Sequence, residues 1–451
     1  MNITENMRGN FVALHILRPT VAVNLNAGKD GTPKSIRYGG VVRQRVSSQA
    51  IKRAIRVSMR ERLNDEDTAR RTKGIPGAVA DQVMHLARRS GDELDRDDVQ
   101  IHTALALSLV GYEPSIKYGD PDSLRRTAEM RTEAEGTTSG FAEIILEAIS
   151  DGVFDDLAEI VSSIVFSPEP KREDGETAKK FEERTYKPLE PVIAKAKSKN
   201  MRVKIQDQKP FTTLQSRLKN AIEKSPNIEI ATMGRFLASS REQCVDSTLS
   251  VAHAISVDSA DMLTDFWSAV DDNAGLDFAD GGFDDDDGEA KTSAGGAHIG
   301  EATLASGTLY EFIVLDRATL RANLRAQNAG DETVTEADIE AEAVRAENAA
   351  LSSALTAVPK GHNNGTGGAG SPASYVLAVT GNGQPISAVS AFESPVVADA
   401  DDSTSAKAAQ RIVDTVARHG KLDAPDDAVS VWLADGTGPT IADSAEWMRS
   451  L

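Results

Sequence analysis

The chain has 451 residues, one cysteine, 5% aromatic residues and a formal net charge of −19 at pH 7. That length holds about two or three domains, or one core with large insertions. The single Cys244 excludes an internal disulfide, no apolar run reaches the roughly 18 residues of a membrane helix, and the acidic total argues against indiscriminate coating of nucleic acid while leaving room for a local basic groove.

The amino end alternates like a strand and has no signal-peptide apolar block, so a reducing cytoplasm is the expected location. Phe11 to Leu17 predicts the first strand, with Val12, Leu14 and Ile16 on one face and Phe11, Ala13 and His15 on the other. Arg18-Pro19 follows. Residues 24–36 (NLNAGKDGTPKSI) read as a loop. Val41 to Val46 predicts a short strand with Arg43 and Arg45 on one side. Ser47 or Ser48 caps the next helix, whose core face is Ile51, Ala54, Ile55 and Met59. Lys52, Arg56 and Arg60, spaced by four, make a basic ridge beside that face.

Residues 60–225 read as mostly helical, with loops at 113–122 and 167–176. The later part turns basic: from Lys195 to Lys219 eight Lys or Arg stand against Asp207 alone. Ile228 to Met233 predicts a strand entering a turn at MGRF. Thr248 to Val257 predicts a strand with Leu249, Val251, Ile255 and Val257 on one face and His253 among them. Asp271 to Glu289 holds nine acids and no base, the composition of a solvated loop. Thr308 to Leu315 is the next strand. Thr335 to Val358 predicts a long helix with Ile339, Ala343, Val344, Leu351, Leu355 and Val358 inward; Glu347 interrupts that stripe, so partial burial is expected at its middle. A Gly-rich loop at 361–374 leads to a strand at Tyr375 to Thr380. Thr404 to His419 is a helix closed by Gly420, and a small strand-and-helix tail ends the chain. Strands separated by helices, with a helical block inserted early, predict an α+β, ferredoxin-like sheet core.

The chemistry concentrates in a few places. From Lys34 to Arg62 nine Lys or Arg stand against Glu61, a local charge of plus eight in an acidic chain. A solvated amphipathic helix explains that pattern; so does phosphate binding at the helix start, with Ser47, Ser48 and Gln49 as hydrogen-bonding groups and Lys52 and Arg56 as charge. At the MGRF turn, Met233 and Phe236 flank a cation on Gly234. The turn reads either as a hairpin tip packed on its own protein or as a wedge between bases, with Arg235 on a phosphate. His253 reads as a packing residue, and no second ligand stands at a metal-like spacing. The Asp284–Asp287 run lacks the alternation of a calcium loop. GTGGAG at 365–370 is not followed by the lysine of a phosphate-binding loop, and no nucleophile elbow is present. No metal, cofactor or catalytic residue is expected.

Several blocks in order carry a resemblance. FVALHILRPTVAVNLN (11–26), RVSSQAIKRAIR (45–56), IATMGRF (230–236), CVDSTLSVAHAISV (244–257), FWSAVDD (266–272), AHIGEATLASGTLYEF (297–312), VP (358–359) and ISAVSAFESPV (386–396) resemble the CasC backbone subunits of type I-E Cascade, the CRISPR RNA-guided surveillance complex (the Cas-seven family). The resemblance implies a right-hand shape: a ferredoxin-like (RRM-like) palm at 1–59, resumed at 226–258 and 298–451, helical fingers at 60–225, a β-hairpin thumb at about 232–246 and a web at 259–297 with an acidic insertion. It implies that several copies, about six, polymerise along one CRISPR RNA while bases stay free to pair with target DNA. The other implied partners are the remaining Cascade subunits and a recruited helicase-nuclease.

Carried over by position, Ser48, Gln49, Lys52, Arg53 and Arg56 face the RNA backbone, with Arg45 as neighbour. Met233, Gly234, Arg235 and Phe236 form the thumb, with Met233 or Phe236 as wedge. Lys195, Lys197 and Lys199 are a further expected contact with target duplex or RNA, read from charge rather than from the resemblance. Two other classes stand beside this. One is an RNA-cleaving backbone subunit of type III kind, which needs an acid in an early loop; Asp30 is the only acid in 24–36 and reads more simply as a turn residue. The other is a single-copy RNA-binding protein of the same fold.

Overall fold

The computed structural model describes residues 9–72, 74–90, scattered positions between 94 and 110, and 114–116, 142–144, 147–150, 153–165, 212–223, 227–236, 244–269, 298–367, 372–423 and 427–432. The first elements are β1 (Phe11–Val23), β2 (Ser35–Tyr38), β3 (Val41–Val46), α1 (Ser48–Arg60), β4 (Ala69–Thr72) and α2 (Ile75–Ser90). Then come β5 (Pro114–Ile116), β6 (Ala142–Ile144), β7 (Glu147–Ser150), α3 (Val153–Val165), α4 (Thr212–Glu223) and α5 (Ile228–Met233). The remainder is β8 (Leu249–Val251), β9 (Ala254–Ser256), β10 (Asp261–Ala269), β11 (His298–Asp316), α6 (Arg317–Gln327), α7 (Glu336–Thr356), α8 (Asn363–Thr366), β12 (Tyr375–Gly381), α9 (Thr404–Asp423) and β13 (Asp427–Trp432). The chain divides into two compact units, one of residues 1–55, 251–314 and 352–451, the other of residues 56–250 and 315–351.

The first unit is built on a mixed-order sheet, β13-β12-β1-β11-β9-β3-β2, whose described pairings are antiparallel. β1 pairs with β12 from Phe11↔Gly381 to Leu17↔Tyr375. That ladder stops before Pro19, which has no N–H to donate. β1 itself runs on to Val23, past the expected end at Leu17. Arg18 is buried on the way, and its guanidinium is matched by Glu311 at 3.0 Å and by the Leu355 carbonyl at 3.1 Å. One sheet face packs Phe11, Ala13, Leu17, Tyr310, Tyr375 and Leu377 against Ala408, Ala409, Ile412 and Val416 of α9. Each fully buried large side chain there contributes about 1.5–3 kcal/mol. His15 lies in this layer; its Nδ1 and the Tyr310 hydroxyl share a hydrogen bond at 2.9 Å, and that hydroxyl accepts from the Ala388 N–H. Burial lowers the His15 pKa to about 3 and pushes the Tyr310 phenol up.

The second unit has two apolar clusters. Ile75, Val79 and Val83 of α2 meet Leu157 and Val161 of α3 and Leu214, Leu218 and Ile222 of α4, the i, i+4 spacing of helix faces. Ile228 and Ala231 of α5 meet Leu320 and Leu324 of α6 and Ile339, Ala343 and Ala346 of α7.

Several expectations are corrected. Ile228–Met233 is a helix, not a strand: Asn227 caps it, its Oδ1 accepting from the Ile230 N–H at 2.9 Å, and all six residues are buried, which erases the one-sided pattern of a surface helix. Glu347 is 1% exposed rather than partly buried, because Arg317 and Arg321 hold it at 2.9 and 2.6 Å. α9 runs through Gly420 to Asp423, a glycine cost of about 1 kcal/mol that a packed helix absorbs. The strand expected over 248–257 is broken between β8 and β9, and His253 in the break is exposed rather than packed. Asp261–Ala269, within the expected web and given no element of its own, is a strand paired with β11. The span 60–225 holds short strands beside its helices, and β5 falls in the loop expected at 113–122. The loop at 167–176, the acidic run 271–289 and Lys195, Lys197 and Lys199 lie outside the described residues.

Candidate nucleic-acid interface

The basic island is divided in three by its surroundings. Arg43 is fully buried. Its Nε donates to the Tyr38 carbonyl at 3.3 Å, its Nη1 to the Ser256, Val257 and Asp258 carbonyls at 3.1, 2.6 and 3.2 Å, and its Nη2 to the Phe392 carbonyl at 2.9 Å. Those dipoles replace its water, while desolvation lowers its pKa. Arg43 is therefore a brace of the sheet, although alternation places it on the same side as Arg45.

At the end of α1, Arg56 and Arg60 are turned to an acid. Arg60 Nε and Nη2 lie 2.7 and 3.0 Å from the Glu229 carboxylate, and Arg56 Nη1 lies 3.3 Å from it. The remaining cations differ in exposure. Arg53 is exposed, and Lys52 and Arg45 are half-buried. The Arg45 Nε is buried and has no hydrogen-bond partner among the described residues. Gln49 is exposed beside them.

α1 forms as the sequence predicts. Ile51, Ile55 and Met59 are 3%, 0% and 0% exposed on its inner face. Ser47 is the cap: its carbonyl accepts from the Ala50 and Ile51 N–H groups, and its hydroxyl from the Ala50 N–H. The Ser48 N–H, which the helix leaves unpaired, donates to Nδ1 of His253 at 2.9 Å. The amides of Ser48 and Ala50 are thus already satisfied. Anion binding here rests on side chains, and the helix start expected to cradle a phosphate is partly closed by a histidine that sequence reading treated as packing.

The MGRF turn is also sorted by burial. Met233 ends α5 and is 6% exposed; Arg235 is 7% exposed; Phe236 is 77% exposed. Gly234 has φ of +77°, and a Cβ there would stand 2.8 Å from the Val245 carbonyl oxygen, so only glycine fits. Arg235 and Val245 exchange both backbone hydrogen bonds, at 2.9 and 2.8 Å.

One feature escaped the sequence reading. β10 and the start of β11 form a two-stranded ribbon with Leu263, Phe266 and Trp267 exposed by 72%, 64% and 44%. The Trp267 ring lies over Gly300, where a Cβ would be 2.4 Å from it. The apolar letters of DMLTDFWSA were visible, but exposed apolar residues do not follow the one-sided pattern of a half-buried strand.

In the early loop, the Asp30 carboxylate accepts from the Thr32 N–H at 3.2 Å, as in an Asx turn, and hydrogen bonding by the Thr32 side chain and then its backbone holds the Asp30 pKa below the ordinary range. Among the described residues no three His, Cys, Asp or Glu side chains cluster to hold a metal ion, and no helix is long and apolar enough to cross a membrane.

Two solved structures share this fold. A chain of a "CRISPR RNA-guided surveillance complex, pre-nicking" superposes with a TM-score of 0.64 at 22% identity, covering 98% of this chain and 99% of that one. A chain of a "CRISPR RNA-guided surveillance complex" gives a TM-score of 0.56 at 21% identity, covering 95% and 93%. No curated protein matches the chain. The family model described as CT1975-like protein matches residues 12–443, nearly the whole length, and the chain belongs to the CT1975-like protein family.

Proposed function

We propose that this chain is a non-enzymatic CRISPR RNA-binding backbone subunit of a type I-E Cascade surveillance complex, working in the cytoplasm. Copies of it line up along the guide spacer, kink it at regular intervals and present its bases to target DNA. The observation that carries this reading is the end-to-end likeness to a chain of a CRISPR RNA-guided surveillance complex, over 98% of this chain and 99% of that one. The strand order β12-β1-β11-β9 supports the ferredoxin-like palm, since helices intervene in sequence between β1 and β9 and between β11 and β12.

In this reading Arg45, Ser48, Gln49, Lys52 and Arg53 grip the RNA backbone, which carries charge but no sequence. Phe236, the exposed apolar side chain of the turn, is the wedge; Met233, being buried, supports it from below. Lys195, Lys197 and Lys199 contact target duplex or RNA. The other Cascade subunits cap and complete the filament, and a helicase-nuclease acts on the DNA it opens.

The test is assembly on guides of increasing spacer length, weighed by native mass spectrometry. Mass rising by whole subunits with spacer length supports the backbone role; one copy at every length replaces it with a single-copy RNA-binding protein. Incubating the same complexes with complementary RNA and magnesium judges the absence of catalysis: periodic cuts lost in Asp30→Ala would make it a nuclease.

A further inference from the structure

We infer that Arg56 and Arg60 are positioning residues: through Glu229 they hold α5, and with it the Gly234–Phe236 turn, in place, and neither supplies a phosphate contact. This rests on reading Phe236 as the wedge. It reassigns Arg56, which the motif sets beside Lys52 on the RNA.

Glu229 is the hub. Its side chain is 4% exposed, and its two oxygens accept from Arg60 Nε at 2.7 Å, Arg60 Nη2 at 3.0 Å, Arg56 Nη1 at 3.3 Å and the Ala69 N–H at 3.1 Å. An isolated buried carboxylate is costly, so the arginines cannot leave for a phosphate without stranding it. The Arg60 fork meets the carboxylate with two nitrogens, a geometry that fixes direction as well as charge. Neither side chain is fully exposed: Arg56 is 16% exposed and Arg60 33%.

α5 needs such an anchor. Six residues are too few to hold a helix alone. Its cap Asn227 donates from Nδ2 to the Thr68 carbonyl at 2.6 Å, the residue before Ala69, so the same strand start that binds Glu229 also binds the cap. Its last turn passes directly into Gly234, whose N–H donates to the Ile230 carbonyl at 2.9 Å, then into the Arg235–Val245 pair and Phe236. From Arg60 to Phe236 the line of contacts is continuous: carboxylate, helix, glycine turn, paired arginine, exposed ring.

The expected split is between grip and wedge. Complexes are assembled on a guide with 2-aminopurine walked through one spacer, whose fluorescence rises where a base is unstacked. The wild type shows bright positions at a fixed interval, and Phe236→Ala loses them. Arg56→Gln, Arg60→Gln and Glu229→Gln dim them too, yet leave the slope of log affinity against log salt at its wild-type value. Lys52→Gln does the reverse: the bright positions stay and the slope falls by about 0.7, one phosphate on a single strand. If Arg56→Gln lowers the slope by about 0.7 and keeps the bright positions, the inference is wrong. Hydrogen exchange of the free chain judges the clamp without RNA. Residues 228–236 exchange faster in Arg60→Gln and Glu229→Gln but not in Lys52→Gln, and unchanged exchange in the first two also overturns the inference. A wild type with no bright positions rejects the wedge alone, leaving exchange to decide the clamp.

Discussion

Nε of Arg60 lies 2.7 Å from Oε2 of Glu229, a carboxylate only 4% exposed. The pair joins the last turn of α1 to the second residue of α5, a link of 169 positions in sequence. Arg56 shares the same carboxylate. The basic ridge that looks like a uniform cationic surface in sequence therefore ends in a buried ion cluster.

Removing Glu229 leaves two arginines without their shared acid. Glu229→Ala is expected to destabilise the chain by about 2–3 kcal/mol, less than the 3–5 typical of a fully buried pair because Arg60 reaches solvent. Urea unfolding checks it, as a lower midpoint at unchanged slope.

Arg43→Met removes the donor from a ring of carbonyls. Each orphaned acceptor costs about 1–3 kcal/mol, and the loss is expected at about 3–5 kcal/mol after partial relaxation. Arg43→Lys recovers little, since one ammonium cannot span the Val257 and Phe392 carbonyls that Nη1 and Nη2 reach separately. Thermal unfolding of the two variants side by side is the measurement.

His15 predicts a pH dependence. Its folded pKa is depressed to about 3 from an ordinary 6.5. Between those values the unfolded chain binds a proton that the folded chain refuses, so this contribution is present above pH 6.5 and lost as pH falls toward 3. The expected slope is about 1.4 kcal/mol per pH unit within that window. In His15→Gln, unfolding near pH 5 takes up about one proton fewer, read from the change of urea midpoint with pH; an unchanged slope would mean that His15 is already charged in the folded state.

Lys52 and Arg53 carry the phosphate prediction. Lys52→Gln with Arg53→Gln is expected to flatten the salt dependence of guide-RNA binding by about 1.4 units of slope, two contacts at 0.7 each. Fluorescence anisotropy across a salt series measures it, and a wild-type slope in the double variant would remove both residues from the RNA.

Some of this was legible in the chain. The alternation of Phe11 to Leu17, the i, i+4 face of Ile51, Ile55 and Met59, and the strand at Tyr375 are local patterns, and they appear where they were expected. α5 was not, because a helix buried on every side has no polar face to mark its period. The strand β10 was missed for the opposite reason: its exposed apolar residues resemble nothing that a core demands.

Charge shows the same division. Sequence alone determined that a dense basic segment exists in an acidic chain, because composition and spacing need no third dimension. Only the tertiary structure decided which cations are available. The Tyr38, Ser256, Val257 and Phe392 carbonyls that enclose Arg43, and the Glu229 that binds Arg56 and Arg60, are up to 349 positions away in sequence. A guanidinium is drawn inward or left at the surface by the dipoles and charges folded against it, and those are set by packing rather than by neighbours in the chain. Burial likewise separates Met233 from Phe236, three residues apart in one turn, into support and exposed tip.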